Sequence, residues 1–232
     1  MERRDFVKFC AASAAAAAGA PAVCADARPH LYQRVKLVGD DGAPLRARAV
    51  PADRNPIFHY PYATTPCFLL NLGRPVQGAA QLRTVDDRPY EWHGGVGAAR
   101  SIVAYSAICA HQLTYPTRDI SFISFRAEKT VGNRFARVIH CCSEHSQYDP
   151  AAGGRVLAGP APQPLASILL EHDIATDELH AVGTLGGEMF EQFFAKYAFR
   201  LQLENGGAAR RAVNGVTPVT PLERYCKQQV KC

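Results

Sequence analysis

The sequence predicts a mainly β fold: antiparallel sheets, a small subdomain around two cysteine–histidine boxes, and one C-terminal helix. Short runs rich in β-branched and aromatic residues recur along the chain. Glycine, proline, asparagine or aspartate separates them, which is typical of strands joined by turns. Only the segment 188–200 has apolar residues at three- and four-residue spacing, which indicates a helix. Each box directly follows a strand-like run.

Composition and net charge indicate a globular protein and argue against one that binds nucleic acid. The 232-residue chain is 47% hydrophobic and 20% charged, an ordinary composition for a globular protein. The formal net charge of +5 is modest, and the lysines and arginines show no run beyond the scatter of a solvated surface. Nucleic-acid binding is therefore not expected.

The N-terminus has the pattern of an export signal. Arg3 and Arg4 precede an alanine-rich stretch, as in twin-arginine signals, and small residues permit cleavage after Ala25. A retained membrane anchor is one alternative and an amphipathic or disordered tail is another. The stretch is shorter than the ~20 strongly apolar residues of a spanning helix, and Pro21 interrupts it. We expect 1–25 to be a twin-arginine signal or weak anchor that directs the chain to the periplasm or the periplasmic face of the bacterial inner membrane.

The rest of the chain divides into a domain and a tail. Residues 26–204 form the predicted domain, whose metal-binding part lies at about 101–165. Residues 205–232 form a tail, expected to be irregular and to wrap the domain or a partner. A first strand pair is predicted at 35–38 and 45–50, around a glycine–aspartate turn.

Predicted strands deliver both boxes, and a predicted helix covers the sheet. The β-rich run 101–108 leads into the first box. A hairpin of 120–126 and 134–140 leads into the second. In 188–200 the apolar residues form one face, which we expect to pack on the sheet; they are Met189, Phe190, Phe193, Phe194 and Tyr197.

The two boxes are the candidate metal ligands. Cys109 and His111 have the spacing Cys-x-His, and Cys142 and His145 have the spacing Cys-x-x-His. Two thiolates and two imidazoles are the ligand set of a Rieske-type 2Fe–2S centre. They are also a ligand set for structural zinc, so ligand identity alone leaves both metals open.

The residues that follow the boxes favour the iron–sulfur reading. These residues are the segments Ser146-Gln147-Tyr148-Asp149 and Gly159-Pro160-Ala161-Pro162. Together with the two boxes, they make the region of about 101–185 resemble the Rieske iron–sulfur protein family. The resemblance implies one 2Fe–2S cluster, with Cys109 and Cys142 on the buried iron and His111 and His145 on the outer iron.

The resemblance also assigns roles around the cluster. Ser146 and Tyr148 match hydroxyl residues that donate hydrogen bonds to a bridging sulfide and to a cysteine sulfur, which raises the reduction potential. Gly159 and Pro160 match a proline loop that shields the cluster.

The chain departs from the family pattern in three ways. Thr114 and Glu144 stand where many members carry two cysteines joined in a disulfide between the cluster loops. One residue fewer than usual separates His145 from Tyr148. The spacer between the boxes is long enough for an extra hairpin, a plausible element for docking a partner.

Other cysteines leave alternatives open. If Cys142 faces the metal, strand alternation turns Cys141 away, either as a small buried residue or as a disulfide partner of Cys67. Cys226 and Cys232 can close a small loop, stay free or join another chain, since connectivity does not follow from sequence.

The predicted function is one-electron transfer through a Rieske 2Fe–2S cluster, as a carrier or as the small subunit of a periplasmic oxidoreductase. The expected partner is a redox protein, either a cytochrome c or a larger oxidoreductase subunit. One alternative is the iron–sulfur subunit of a quinol:cytochrome c oxidoreductase, which adds quinol as a partner and needs a membrane anchor. A second is a zinc-stapled β binding module without a redox role.

Overall fold

A computed structural model describes residues 28–76, 78–130 and 134–232. The predicted leader, 1–25, lies outside the described residues. Within those ranges, every helix is too short or too polar to span a bilayer.

Sixteen strands and three α-helices are assigned in the described residues. The strands are β1 (His30–Val38), β2 (Pro56–His59), β3 (Pro66–Asn71), β4 (Ala80–Arg83), β5 (Pro89–Trp92), β6 (Ile102–Ser106), β7 (Ile120–Ser121), β8 (Ile123–Arg126), β9 (Val138–Cys141), β10 (Ser146–Asp149), β11 (Arg155–Ala158), β12 (Ser167–His172), β13 (Leu179–Leu185), β14 (Val216–Pro218), β15 (Thr220–Pro221) and β16 (Gln228–Gln229). The helices are α1 (Phe190–Lys196), α2 (Ala198–Asn205) and α3 (Leu222–Tyr225). The prediction of a mainly β fold with C-terminal helical structure is confirmed.

The largest sheet has eight strands in the order β14-β1-β13-β12-β6-β3-β2-β15. Its neighbours pair antiparallel, except for the parallel pair of β1 and β14. The central strands β3 and β6 are apolar and buried, and a register from Cys67↔Ser106 to Asn71↔Ile102 joins them. The end of β6 leads into the first box, as the sequence predicts.

A separate four-stranded sheet, in the order β11-β10-β9-β8, carries the second box. β8 and β9 form the predicted hairpin, although β9 begins only at Val138. β9 and β10 pair with Cys141 opposite Ser146 and Ile139 opposite Tyr148. Residues opposite each other share a face, so the core face of this pair carries those four side chains.

The predicted helix is split in two. α1 ends at Lys196 and α2 begins at Ala198, with Tyr197 between them. Phe193 and Phe194 are buried in a cluster that includes Ile108 and Leu113, which flank the first box. The helices therefore pack on the chain that holds Cys109, and Lys196 Nζ donates to the carbonyl of Gln112 at 2.7 Å.

The C-terminal tail is ordered and lies on the domain. β14 pairs with β1, β15 with β2, and β16 in parallel with β7. α3 buries Leu222, and the chain then runs to Cys232 beside the second box. The tail thus extends the large sheet at both edges before it reaches the small one.

One predicted strand is wrong. Residues 45–50 were expected to pair with 35–38, but Ala47–Ala49 form a 3-10 helix. Only the start of the predicted pairing is present, where Leu45 N donates to Leu37 O at 2.9 Å. β1 otherwise pairs with β13 and β14, which are distant in sequence. The partners of β1 are determined by hydrogen bonds to residues far along the chain, and a local turn signal cannot predict such bonds.

A histidine between the tail and the large sheet predicts acid sensitivity. Burial and the charge of Arg118 lower the pKa of His59 to about 4, and its Nε2 lies 3.3 Å from the Tyr225 hydroxyl. A histidine of the unfolded chain has a pKa of about 6.5, so it becomes protonated as the pH falls below that value, whereas His59 of the folded chain stays neutral until about pH 4. Stability should therefore fall as pH drops from about 6.5 to about 4, by up to about 3 kcal/mol from this residue.

We predict that His59→Gln reduces the loss of unfolding free energy between pH 7 and pH 4.5 by about 2 kcal/mol. Denaturant titrations at the two pH values measure it. His93→Gln is the control, because the His93 side chain is 78% exposed. Equal pH dependence in wild type and His59→Gln would refute the assignment.

Candidate metal centre

Two buried thiols meet where the large and small sheets adjoin. Cys109 lies just after β6 and is 1% exposed, and Cys141 ends β9 and is fully buried. The two thiols are close enough that each shifts the pKa of the other. Cys141 faces the core with Ile139 and Tyr148, in the same apolar cluster as Cys109.

The prediction that Cys142 is the second thiolate ligand disagrees with the structure. Cys142 Sγ forms a disulfide with Cys232, and Cys67, Cys109, Cys141 and Cys226 are free. Successive side chains do alternate between the two faces of the strand, as expected, but Cys141 and not Cys142 faces the core. The pairing of β9 with β10 puts Cys141 on the core face with Tyr148, so Cys142 falls outside it.

The loops after the two thiols have the same local geometry. The backbone N–H groups of His111 and Gln112 act on the Cys109 sulfur and lower the pKa of that thiol. The N–H groups of Ser143 and Glu144, again two and three residues on, act on the Cys141 sulfur in the same direction. Two such donors favour the thiolate form of each sulfur.

The loops after Cys109 and Cys141 also match in backbone conformation. The fourth residue after each thiol has positive φ: 59° at Leu113 and 58° at His145. Neither residue is a glycine, and this left-handed conformation is uncommon for other residues. The first loop closes through Leu113 N to Cys109 O at 2.9 Å, and Cys141 pairs with Ser146 to close the second. Two equivalent loops therefore present Cys109 and Cys141.

Tyr148 links the two loops. Its fully buried hydroxyl lies 3.2 Å from Cys109 Sγ and accepts from the backbone N–H of Ala110 at 3.1 Å. The hydroxyl accepts the Ala110 N–H through its oxygen, so its own proton is available to the sulfur. The predicted contact of Tyr148 with a cysteine sulfur is thus present in the structure.

Two other predicted site residues have unpartnered polar atoms. Ser146 Oγ and His111 Nδ1 are buried and find no hydrogen-bond partner among the described residues. A buried polar atom without a partner costs about 1–3 kcal/mol. A group bound beside the thiols would supply partners for both atoms.

His145 is placed differently from the other three boxed residues. It is exposed, and its ring centroid lies 5.9 Å from that of fully buried His140. Ligand atoms of His140, His145 and Cys232 lie within 4.8 Å of one another. This second group of donors lies on the outer side of β9, and Cys232 Sγ is already bonded to Cys142.

Local contacts set the acidities around the thiols. The neighbouring Cys141 thiol holds the pKa of Cys109 below its usual range, while Cys109 and burial raise the pKa of Cys141. Burial and the neighbouring Cys109 raise the pKa of Tyr148. Burial lowers the pKa of His140 to about 4, so this imidazole is neutral at pH 7. Cys109 is therefore the thiol of the pair that ionises first.

The predicted proline loop lies against the second thiol loop. A Cβ on Gly159 would lie 2.5 Å from Ser146 Cα and 2.6 Å from His145 O, so only glycine permits this approach. Gly159 and Pro160 are exposed, whereas Gln163 is buried. Gln163 anchors the loop, donating to Gly187 O at 3.0 Å and accepting from Val85 N at 2.8 Å.

Sequence reasoning missed Cys141, although the sequence contained the signal. The spacing from Cys142 to Tyr148 is one residue shorter than the usual family spacing. The spacing from Cys141 to Tyr148 has the usual length. The position three after Cys141 is then Glu144, and His145 is the fourth. The spacing is short because the core-facing cysteine is Cys141, one position before Cys142.

Comparison with solved structures gives a loose similarity to a known protein. No protein-family model matches the chain. Among solved structures, the chain is similar to the soluble domain of the Rieske protein II (soxF) from Sulfolobus acidocaldarius, at a TM-score of 0.45 and 24% sequence identity. The match covers 68% of this chain and 82% of that one. The functional argument therefore rests on the residues of the site.

Proposed function

We propose that this chain is a Rieske-type protein that transfers single electrons through one 2Fe–2S cluster. The observation that carries the proposal is the pair of equivalent loops around Cys109 and Cys141, with N–H donors on each sulfur and the Tyr148 hydroxyl on one. Donors of this kind stabilise negative charge on metal-bound sulfur. The unpartnered atoms of His111 and Ser146 fit the same group.

Cys109 and Cys141 would hold one iron in this proposal, and His111 and His145 the other. When bound, the cluster supplies a one-electron couple, and histidine ligation gives it a higher potential than all-cysteine ligation does. His111 offers its unpartnered Nδ1. His145 is exposed, and its ring would have to turn from His140 toward the thiols. Glu144 occupies the third position of the second loop and is the competing ligand.

The surrounding residues would tune the potential and exclude water. The Tyr148 hydroxyl donates toward Cys109, and Ser146 has a free hydroxyl on the same face of the sheet. Both donors favour the reduced cluster, which carries one more negative charge. The loop from Gly159 packs on the backbone of the second thiol loop and limits access of solvent from that side.

A mononuclear zinc site on the four boxed residues is less well supported. Four ligands of one zinc ion lie about 2.0–2.3 Å from it, so their donor atoms crowd together. Within the described ranges, the His/Cys/Asp/Glu group that gathers three donors is His140, His145 and Cys232, not the predicted set. A dinuclear core, whose two irons take separate ligand pairs, better suits a thiol pair that does not share one group of donors with His145.

The proposed setting is the bacterial periplasm, where the chain would act as a carrier or as the small subunit of an oxidoreductase. The disulfide Cys142–Cys232 supports an oxidising compartment. A cytochrome c or a larger oxidoreductase subunit remains the proposed partner. It would approach the second loop, where Ser143, Glu144 and His145 are exposed. The quinol-oxidising alternative needs an anchor in 1–25.

We predict that Cys141→Ser abolishes the cluster while Cys142→Ser retains it, because only Cys141 faces Cys109. Iron and sulfide content of anaerobically purified protein, and the rhombic paramagnetic resonance signal after reduction, measure this. Cys67→Ser is the control for loss of a buried thiol, since Cys67 lies in β3. Loss of the cluster in Cys142→Ser with retention in Cys141→Ser would reverse the ligand assignment.

A second prediction concerns the fourth ligand. His145→Ala should remove the rhombic signal of mixed cysteine–histidine ligation, while Glu144→Ala should keep it. The same resonance measurement on both variants, with iron content, decides between the neighbours. The reverse result would assign the ligand to Glu144.

A third prediction concerns the potential. Tyr148→Phe removes the hydroxyl from Cys109 Sγ and keeps the ring, so the potential should fall by about 40–90 mV, the equivalent of a hydrogen bond of about 1–2 kcal/mol. Redox titration of the cluster signal measures it. Tyr105→Phe is the matched control, because its buried hydroxyl donates to Pro150 O instead. A potential unchanged in Tyr148→Phe would show that the hydroxyl does not act on the cluster.

A further inference from the structure

We propose that the disulfide Cys142–Cys232 is a tether that holds the second ligand loop in position, so that Cys142 and Cys232 act as positioning residues for the cluster. The inference rests on the proposed function. It assigns the C-terminal tail a part in the site, although the tail supplies no ligand.

The tail is brought to the site by a series of contacts along the hairpin. β16 pairs with β7, and Val230 N donates to Ser121 O at 2.9 Å. The guanidinium of Arg126, in edge strand β8, donates to the carbonyl of Val230 and lies 3.9 Å from Cys142 Sγ. The tail thus follows the hairpin strands to the end that carries the second box.

The last residue is fixed on both sides. Thr130 Oγ1 donates to Cys232 O at 2.8 Å, and Cys232 Sγ lies 3.6 Å from both ring nitrogens of His140. The covalent bond to Cys142 closes a span of 90 residues. A cross-link over such a separation removes many conformations in which the tail lies away from the loop.

The tether acts on the residue next to a ligand. Cys142 is the first residue of the four-residue loop 142–145, and its N–H donates to Phe122 O at 2.6 Å. Cys141 and Ser146 hold the ends of the loop by strand pairing. The disulfide adds a third fixed point on the outer side of β9, opposite the thiols. Positions 114 and 144 of the two loops are Thr114 and Glu144, so these positions cannot form a disulfide.

The tether is accessible to reductant. Both Cys142 and Cys232 are only half-buried. A water-soluble phosphine opens the bond by giving two electrons: it takes an oxygen atom from water to become a phosphine oxide, and the two water protons go to the thiolates. The products are two thiols, and the ligand thiols Cys109 and Cys141 are not consumed.

The experiment compares wild type, Cys142→Ser and Cys232→Ser, each loaded with cluster, with Cys226→Ser as the matched control from the same tail. Iron release to a chelator should be about tenfold faster in both tether variants and in phosphine-treated wild type. Reoxidation of treated wild type should restore the slow rate. The reduced cluster's resonance lines should broaden when the tether is open, a change that general loss of stability does not produce.

A second readout does not need the cluster. In apoprotein, amide hydrogen exchange at 142–146 should be faster in Cys232→Ser than in wild type, and unchanged in Cys226→Ser. Release rates and line widths equal to wild type in the tether variants would overturn the proposal, as would unchanged exchange. If no variant, wild type included, binds a cluster, the proposed function fails, while the exchange experiment still decides whether the tether holds the loop.

Discussion

Contact between two buried sulfurs, Cys109 and Cys141, is the interaction on which the account of this protein depends. Thiols in an apolar core are ordinarily poor ligands, because burial disfavours the thiolate. Here each sulfur lies at the start of a loop whose backbone N–H groups turn inward toward it, and a tyrosine hydroxyl reaches one of them. The pair therefore combines exclusion of water with stabilisation of negative charge, which is what a redox centre bound through sulfur requires.

The rest of the fold serves to bring these loops together. β6 in the large sheet ends at the first, and the hairpin of β8 and β9 ends at the second. Aromatic residues of α1 pack behind the first loop. The tail crosses from the large sheet to the small one and ends in a disulfide beside the second loop. Loops are the mobile parts of most proteins, so contacts of this kind are needed where ligand geometry must be kept.

Much of this was readable in the sequence. The mainly β fold and the hairpin before the second box followed from local patterns, and the contact of Tyr148 with a cysteine followed from the resemblance to the Rieske family. The choice between Cys141 and Cys142 did not, because it depends on the register of β9 against β10, and a shift of one residue turns every side chain to the other face. The partner of Cys142 lies 90 residues away, at a distance no local signal spans.

The most direct test is the crystal structure of the cluster-loaded protein, with iron located by its anomalous scattering at the absorption edge. The account predicts that one iron is bonded to the sulfurs of Cys109 and Cys141, and that Cys142 remains bonded to Cys232. Iron bonded to the sulfur of Cys142, with Cys141 outside its coordination sphere, would contradict it.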